Sequence, residues 1–302
     1  MKIPHIPVLL DEIVEVFKDI KGEYIVDCTV GYGGHSEALL KRYPDKKLIC
    51  IDQDDEALKF SKARLAPFKD RVIFKKGRFS SHISQLKELD IGGILADIGV
   101  SSLQLDQADR GFRFDSNRLD MRMDTNINFD AKQLINSYTQ SDLQRVLKEY
   151  GQIREYKKMA SLIIQNRPFD SAKELSSLIA KHFRSSKIHP ATLLFQALRI
   201  EVNDEIGELR RLLQSIKNLN ISNLVVAIIS FHSLEDKEVK SAFKEWSQNC
   251  ICPKEAIKCE CGGDSSLGKI LTKKPITPTG EEIANNPRSR SSKLRAFRFA
   301  DR

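Results

Sequence analysis

The sequence predicts an α/β fold, a doubly wound parallel sheet interrupted by a helical insertion. Three observations lead there. Strand and helix signals alternate through the first hundred residues, as in a parallel sheet with crossover helices. After about Gln104 strand signals vanish and helical spacing takes over for roughly a hundred residues. An apolar run, LVVAIISF from Leu224 to Phe231, then resumes the sheet. No internal repeat is evident.

In chain order the predicted strands are YIVDCTV, KLICID, RVIFKKG and GGILADIGV, and the predicted helices between them are SEALLKRY, DEALKFSKARL and SHISQLKEL. In the insertion, Ser171-x-x-Glu174 and Thr139-x-x-Asp142 read as capping boxes. Leu175, Leu178, Ile179 and Phe183 make one apolar stripe, and Leu209, Leu212, Leu213 and Ile216 another. Pro190 suits a helix first turn, and LRAFRFA reads as a short final strand.

At 302 residues and 41% hydrophobic content the chain can bury one large core or two smaller ones. No apolar run approaches the ~18 to 20 residues that span a bilayer, and MKIPHIPVLLDE is no signal peptide, so a cytoplasmic protein is expected. The net charge of +8 is uneven: Lys240 to Arg302 holds 13 Lys and Arg against 7 Asp and Glu. A basic end points to a polyanionic partner, most simply nucleic acid; a solvated basic tail is the alternative.

The most specific segment is YIVDCTVGYGGHS, from Tyr24 to Ser36. An apolar run closes on Asp27, then turns through Gly31, Gly33 and Gly34 into a helix. Such a turn brings backbone N–H groups and a helix N-terminus up to a nucleotide-like ligand. Asp52 ends the next strand about 20 residues past the first glycine, where a carboxylate can take both hydroxyls of a ribose. The sixth position of a dinucleotide fingerprint is Ser36 rather than glycine, so that match fails. Asp27, Asp52, Asp54, Asp55 and Asp97 line the mouth of the sheet with negative charge that would repel a pyrophosphate. S-adenosylmethionine, cationic at sulfur and nitrogen and free of phosphate, suits this lining; NAD(P) or no cofactor are the alternatives.

The joins between sheet and insertion hold the unusual polar segments: Asp97-Ile-Gly-Val-Ser-Ser-Leu-Gln104, Arg110-Gly-Phe-Arg-Phe114, Leu119-Asp-Met-Arg-Met-Asp124 and Phe231-His-Ser-Leu-Glu-Asp236. Any one of them could simply cap the next helix. Together with HIPVLLDE from His5, DCTVGYGGHS from Asp27, HPATLLFQALRIEVNDE from His189 and NPRSRSSKLR from Asn286, they resemble the RsmH/MraW family, motif by motif, from near the first residue to near the last.

That resemblance implies an α/β, Rossmann-like class I methyltransferase sheet, with a methyltransferase domain over 1–105 and 215–302 and a helical, substrate-recognising insertion over 106–214. It implies an S-adenosyl-L-methionine-dependent enzyme that methylates N4 of a cytidine in 16S ribosomal RNA, with the assembled or assembling 30S subunit as partner; it leaves a homodimer open. Its cofactor contacts fall on Gly33, Gly34, His35, Asp52, Phe79, Asp97 and Gln104, of which His35, Phe79 and Gln104 come from the resemblance alone. Phe79, in a loop after the third strand, is a plausible wall for an adenine ring. The chain departs from the family pattern at Arg113, where Ser is usual, at Asn117-Arg118, where Gly-Pro is usual, and in GQIRE after Tyr150, where GEER is usual.

Methyl transfer to a cytosine amine moves carbon from sulfur to a nitrogen whose lone pair is delocalised into the ring. An acceptor for an N4 hydrogen and good positioning supply what the weak nucleophile lacks. Attack on cytosine C5 would need a cysteine commonly presented after proline; no Pro-Cys pair exists, since Cys252 precedes Pro253. The Asp/Asn/Ser-Pro-Pro-Tyr/Phe motif of many amino-directed enzymes is also absent, and Asp97-Ile-Gly-Val occupies its expected place. Asp97 is therefore the candidate catalytic acceptor, with contact to the cofactor alone as the alternative; His232 and Asp120 are weaker candidates for holding the base.

The target base must leave its stack to reach such a pocket. From Asp106 to Arg210 the insertion carries 17 basic and 15 acidic residues, so charge does not mark it as the RNA surface. Arg288, Arg290, Lys293, Arg295 and Arg298 are the better phosphate-contact candidates. Cys28 and Cys50 read as buried thiols. Cys250-x-Cys252 and Cys259-x-Cys261 suggest zinc more than disulfides in a cytosolic chain, but C-x-C fits tetrahedral zinc less commonly than C-x2-4-C, so no metal is assigned. A nucleotide-dependent oxidoreductase and a non-catalytic RNA-binding protein are the rival classes.

Overall fold

A computed structural model describes residues 6–184, 189–253 and 258–301; His5, the start of one motif, lies outside them. Two compact units form: Met1–Gly99 with Glu208–Arg302, and Val100–Gly207.

The first unit is a seven-stranded sheet in the order β3-β2-β1-β4-β5-β7-β6. Its strands are β1 (Tyr24–Asp27), β2 (Lys47–Asp52), β3 (Val72–Lys76), β4 (Ile91–Asp97), β5 (Val225–Ser230), β6 (Gly268–Ile270) and β7 (Lys293–Phe299). The first five are parallel; β7 runs antiparallel to β5, and β6 antiparallel to β7. This is the Rossmann-like α/β arrangement the sequence predicts. The chain order reverses between β1 and β4, and ligands of open α/β sheets bind outside the carboxyl ends at such a reversal. Asp27, Asp52 and Asp97 all end strands there.

Helices α1 (Leu10–Val16), α2 (Gly34–Arg42), α3 (Asp55–Arg64) and α4 (Phe79–Ile83) precede the insertion. The strands alternate faces. Ile25, Leu48, Cys50 and Leu95 pack with Ile13 of α1, with Phe17 at its C-cap and with Leu39 of α2. Val26, Ile49, Ile51 and Ile94 point the other way, into a second core. Gly93 is needed because a Cβ there would come within 2.7 Å of the Phe17 ring.

The second unit contains α5 (Ser102–Asp106), α6 (Ala131–Ser137), α7 (Gln140–Glu149), α8 (Tyr156–Gln165), α9 (Ala172–His182) and α10 (Thr192–Asn203). Its core includes Leu134, Leu143, Ile163, Leu175, Leu194 and Leu198. α11 (Glu205–Leu219) begins in the last residues of this stretch, and α12 (Ser233–Trp246) and α13 (Gly280–Asn285) follow.

Several elements differ from the expectation. The predicted helix SHISQLKEL is only α4, five residues from Phe79, because the chain turns at Ser84 to bury Leu86 in the sheet core. Phe79 therefore opens a helix instead of lying in a loop. Pro190 precedes the N-cap Ala191 of α10, outside its first turn. Ser171 and Glu174 form a reciprocal capping box, whereas Thr139 caps Asp142 N–H in one direction only. Leu209, Leu212, Leu213 and Ile216 pack into the sheet core, so that stripe serves the sheet unit, and the inserted unit runs Val100–Gly207 instead of 106–214.

Candidate active site

The first turn is built around Asp27. One of its carboxylate oxygens accepts the Thr29 N–H at 3.1 Å and the other accepts the Ser36 hydroxyl at 2.6 Å, so the strand end is tied to the first turn of α2. Burial pushes Asp27 up to about 6. Gly33, at the N-cap of α2, has φ 72°, the left-handed region that glycine adopts without a Cβ penalty. No side chain caps α2 there, so its leading N–H groups face the carboxyl edge of the sheet. A Cβ on Gly34 would collide with Pro7 Cγ.

Asp52 is held by backbone donors: Gly31 N–H to one oxygen and Asp54 N–H to the other, both at 2.9 Å. Burial nevertheless pushes its carboxyl up to about 6. Gly31 thus fastens the turn of β1 to the end of β2, placing the glycines and Asp52 side by side.

His35 is buried, and its Nε2 lies 2.8 Å from Val8 carbonyl oxygen. A carbonyl can only accept, so the proton sits on Nε2 and leaves Nδ1 bare. Burial pulls this imidazole down to about 4, neutral at physiological pH. Nδ1 lies 3.8 Å from Asp97 Oδ2. Asp97 donates its own N–H to Thr29 Oγ1 at 2.7 Å, while its buried Oδ1 has no hydrogen-bond partner. Burial first, then the charges of Asp27 and Glu235, push Asp97 up to about 8. A buried carboxyl oxygen without a partner at a strand end is costly unless a ligand completes it.

Phe79, half-buried against the sheet core, opens α4; the neighbouring Ser80 N–H donates to buried Glu208 at 2.9 Å. Gln104 lies in the other unit, buried on α5, where its side-chain oxygen accepts the Ser101 N–H at 3.1 Å. The sheet unit therefore brings Gly33, Gly34, His35, Asp52 and Asp97 to one edge.

The acidic mouth is less free than the sequence suggests. Asp27 is engaged inside the turn, Asp54 caps α3 by accepting Glu56 N–H at 3.0 Å, and Asp55 pairs with Lys76. Asp52 and Asp97 remain as the strand-end carboxylates that are candidates for contact with a ligand. His232 is the N-cap of α12, in a reciprocal capping box with Glu235, and Asp120 is clamped by Arg122 at 2.7 Å; neither is presented as a base-holding group. Of the basic run, Arg295 is buried and bonded to Asp236 at 2.7 Å, and Lys293 pairs the same carboxylate at 3.3 Å, which leaves Arg288 and Arg290 as the exposed members. Sequence reasoning missed Thr29 and Glu208, which position Asp97 and α4. A hydroxyl two residues past a strand-end aspartate was the signal for Thr29; a partner 128 residues away in sequence left none for Glu208.

A family model described as the MraW methylase family matches residues 2–300. The chain is 58% identical over 299 residues to the ribosomal RNA small subunit methyltransferase H of Aliarcobacter butzleri, covering 99% of this chain and 100% of that protein. It is 57% identical over 303 residues to the protein of the same name from Wolinella succinogenes (99% of each), and 58% identical over 301 residues to that of Sulfurimonas denitrificans (98% of each).

Proposed function

The chain belongs to the MraW methylase family, and from that premise we propose that it is an S-adenosyl-L-methionine-dependent methyltransferase acting on N4 of a cytidine in 16S ribosomal RNA. Relatives of the same length at 52–58% identity named for small-subunit ribosomal RNA support the substrate class. The observation that carries the reading is Asp97: a buried, unpartnered carboxyl oxygen at the end of β4, beside a left-handed glycine turn and a second strand-end carboxylate.

The site fits the cofactor's chemistry. Asp52 would hold ribose hydroxyls with the lone pairs that its two backbone donors leave free, and Gly33 and Gly34 would let the methionine end approach the backbone. Asp97 would face its cationic groups, His35 would back that carboxyl, and Phe79 completes the proposed contacts of the sheet unit. S-adenosylmethionine, when bound, supplies an electrophilic methyl group. A cation beside Asp97 draws its carboxyl down from about 8 and favours the ionised form. The ionised Oδ1 can accept a hydrogen from the N4 amine while nitrogen rehybridises. Neutral His35 adds no competing positive charge.

The described residues contain no helix long and apolar enough to cross a membrane, and the working setting is taken as the cytoplasm, with the assembled or assembling 30S subunit as substrate and a homodimer as one admissible state. The inserted unit is assigned to substrate recognition. The deciding experiment is transfer of labelled methyl from S-adenosylmethionine to small-subunit particles, followed by nucleoside analysis. N4-methylcytidine that disappears with Asp52→Ala supports the proposal; cofactor binding with no transfer to any small-subunit RNA overturns it.

A further inference from the structure

The loop between α12 and β6 carries four cysteines that methyl transfer does not use. Their four Sγ atoms all lie within 4.8 Å of one another. Cys250 and Cys259 are 3.7 Å apart at sulfur, and Cys259 and Cys261 3.5 Å. A disulfide would need ~2.05 Å. Thiolates bound tetrahedrally to one zinc at ~2.3 Å stand roughly 3.8 Å from each other. The two shortest of these sulfur separations match those around one tetrahedral zinc, and the other sulfurs lie within 4.8 Å.

Hydrophobic burial does not account for the gathering. Cys250 and Cys259 are exposed, and Ile251, the large apolar side chain between the first pair, is 66% exposed. Two backbone bonds close the loop at its base: Ser265 N–H donates to Asn249 O at 2.9 Å and Leu267 N–H to Trp246 O at 2.7 Å. A 21-residue connection whose described cysteines are exposed or half-exposed calls for a staple other than burial, and thiols are weak hydrogen-bond partners. A backbone N–H also reaches one of the sulfurs: Glu260 donates to Cys252 at 3.2 Å. Such a donor stabilises thiolate charge.

We propose that Cys250, Cys252, Cys259 and Cys261 bind one zinc ion in a closed structural site. Four thiols release four protons to solvent as four Zn–S bonds form, with no change of oxidation state. Four protein ligands leave no open coordination position, so the ion does no chemistry on the substrate. Position agrees: Gly268, which follows the loop, pairs with Phe299, at the end of the sheet opposite Asp97. The ion's task is to order the loop that delivers the edge strand β6.

The test measures metal in the full chain, prepared untagged and without chelator. About one zinc per chain is expected from a four-ligand site, falling to background in the Cys259→Ser/Cys261→Ser double variant. Cobalt loading of the unmutated chain, read by the visible bands of tetrahedral cobalt thiolate, makes the result independent of how the variant folds. Trp246, the one tryptophan, reports on the loop base, and its fluorescence transition should move to lower temperature with a chelator and return with added zinc. Zinc at background together with no cobalt spectrum overturns the proposal. So does an intact mass four hydrogens light, which would mean two disulfides, or iron in place of zinc.

Discussion

The Nδ1 atom of His35 faces the Asp97 carboxyl at 3.8 Å, with the ring held from behind by Val8 carbonyl oxygen. Burial keeps the imidazole neutral and the carboxyl hard to ionise, so this edge contains two polar groups poised for a cation and neither is neutralised by the other.

Asp97 should make cofactor affinity depend on pH. Its folded pKa of about 8 lies well above an ordinary aspartate, so at pH 6 the unliganded site is mostly protonated. A cationic ligand prefers the ionised form, and its dissociation constant should fall up to about tenfold per pH unit below 8, then level off. Calorimetric titration of S-adenosylmethionine from pH 6 to 9 checks this. The Asp97→Asn variant should bind with a flat profile and lose methyl transfer by about 100-fold or more, the scale of a general-base contribution. Full turnover in that variant would remove the acceptor role.

The same shift sets a stability trend with a definite sign. A carboxyl whose folded pKa is raised binds more protons in the folded state, so the unliganded protein should lose stability as pH rises from about 4 to about 8 and plateau above. Asp97→Asn removes that loss. Its melting temperature relative to the parent should climb across pH 5 to 8, by about 2–4 °C for each kcal/mol relieved. His35, lowered to about 4, acts at the acid end, where protonation of the unfolded chain destabilises the fold as pH drops below about 6.5.

Asp52→Asn should keep the fold and weaken cofactor binding. One carboxylate oxygen becomes an amide donor facing the Gly31 or Asp54 N–H, and the ribose loses a charged acceptor. A charged hydrogen bond is worth about 1.5–3 kcal/mol, so affinity should drop roughly 10- to 150-fold, with little change in far-ultraviolet circular dichroism.

Gly34→Ala tests the turn from its other side. The added methyl meets Pro7, which must move before α2 can start where it does. Cofactor binding should weaken by about tenfold or more, with a stability cost of about 1–3 kcal/mol for an overpacked position. Pro7→Ala combined with it should restore part of both; thermal melts and titrations of the single and double variants measure the recovery.

Asp236 is a structural hub in the first turn of α12. It accepts from Arg295 at 2.7 Å and Lys293 at 3.3 Å, and those bonds hold its carboxyl below the usual range despite the cost of burial. Asp236→Ala leaves the buried Arg295 without this partner and should cost about 3 kcal/mol. Chemical denaturation would show it as a lower midpoint.

The sequence by itself determined the glycine turn, the strands ending in Asp27, Asp52 and Asp97, and the order of sheet and helices. Those depend on local backbone demands and on side-chain periodicity, which neighbouring residues express directly. Only the tertiary structure decided what the charged groups do. Asp54 became a cap, Asp55 met Lys76, and Arg295 and Lys293 were taken by Asp236, 59 and 57 residues away. It also gave the α11 stripe to the sheet core, cut α4 short and added β6 at the edge. The reason is common to all of these: the partner that decides the energy of a buried charge or an apolar face is set by three-dimensional approach, and its distance along the chain leaves no periodic trace.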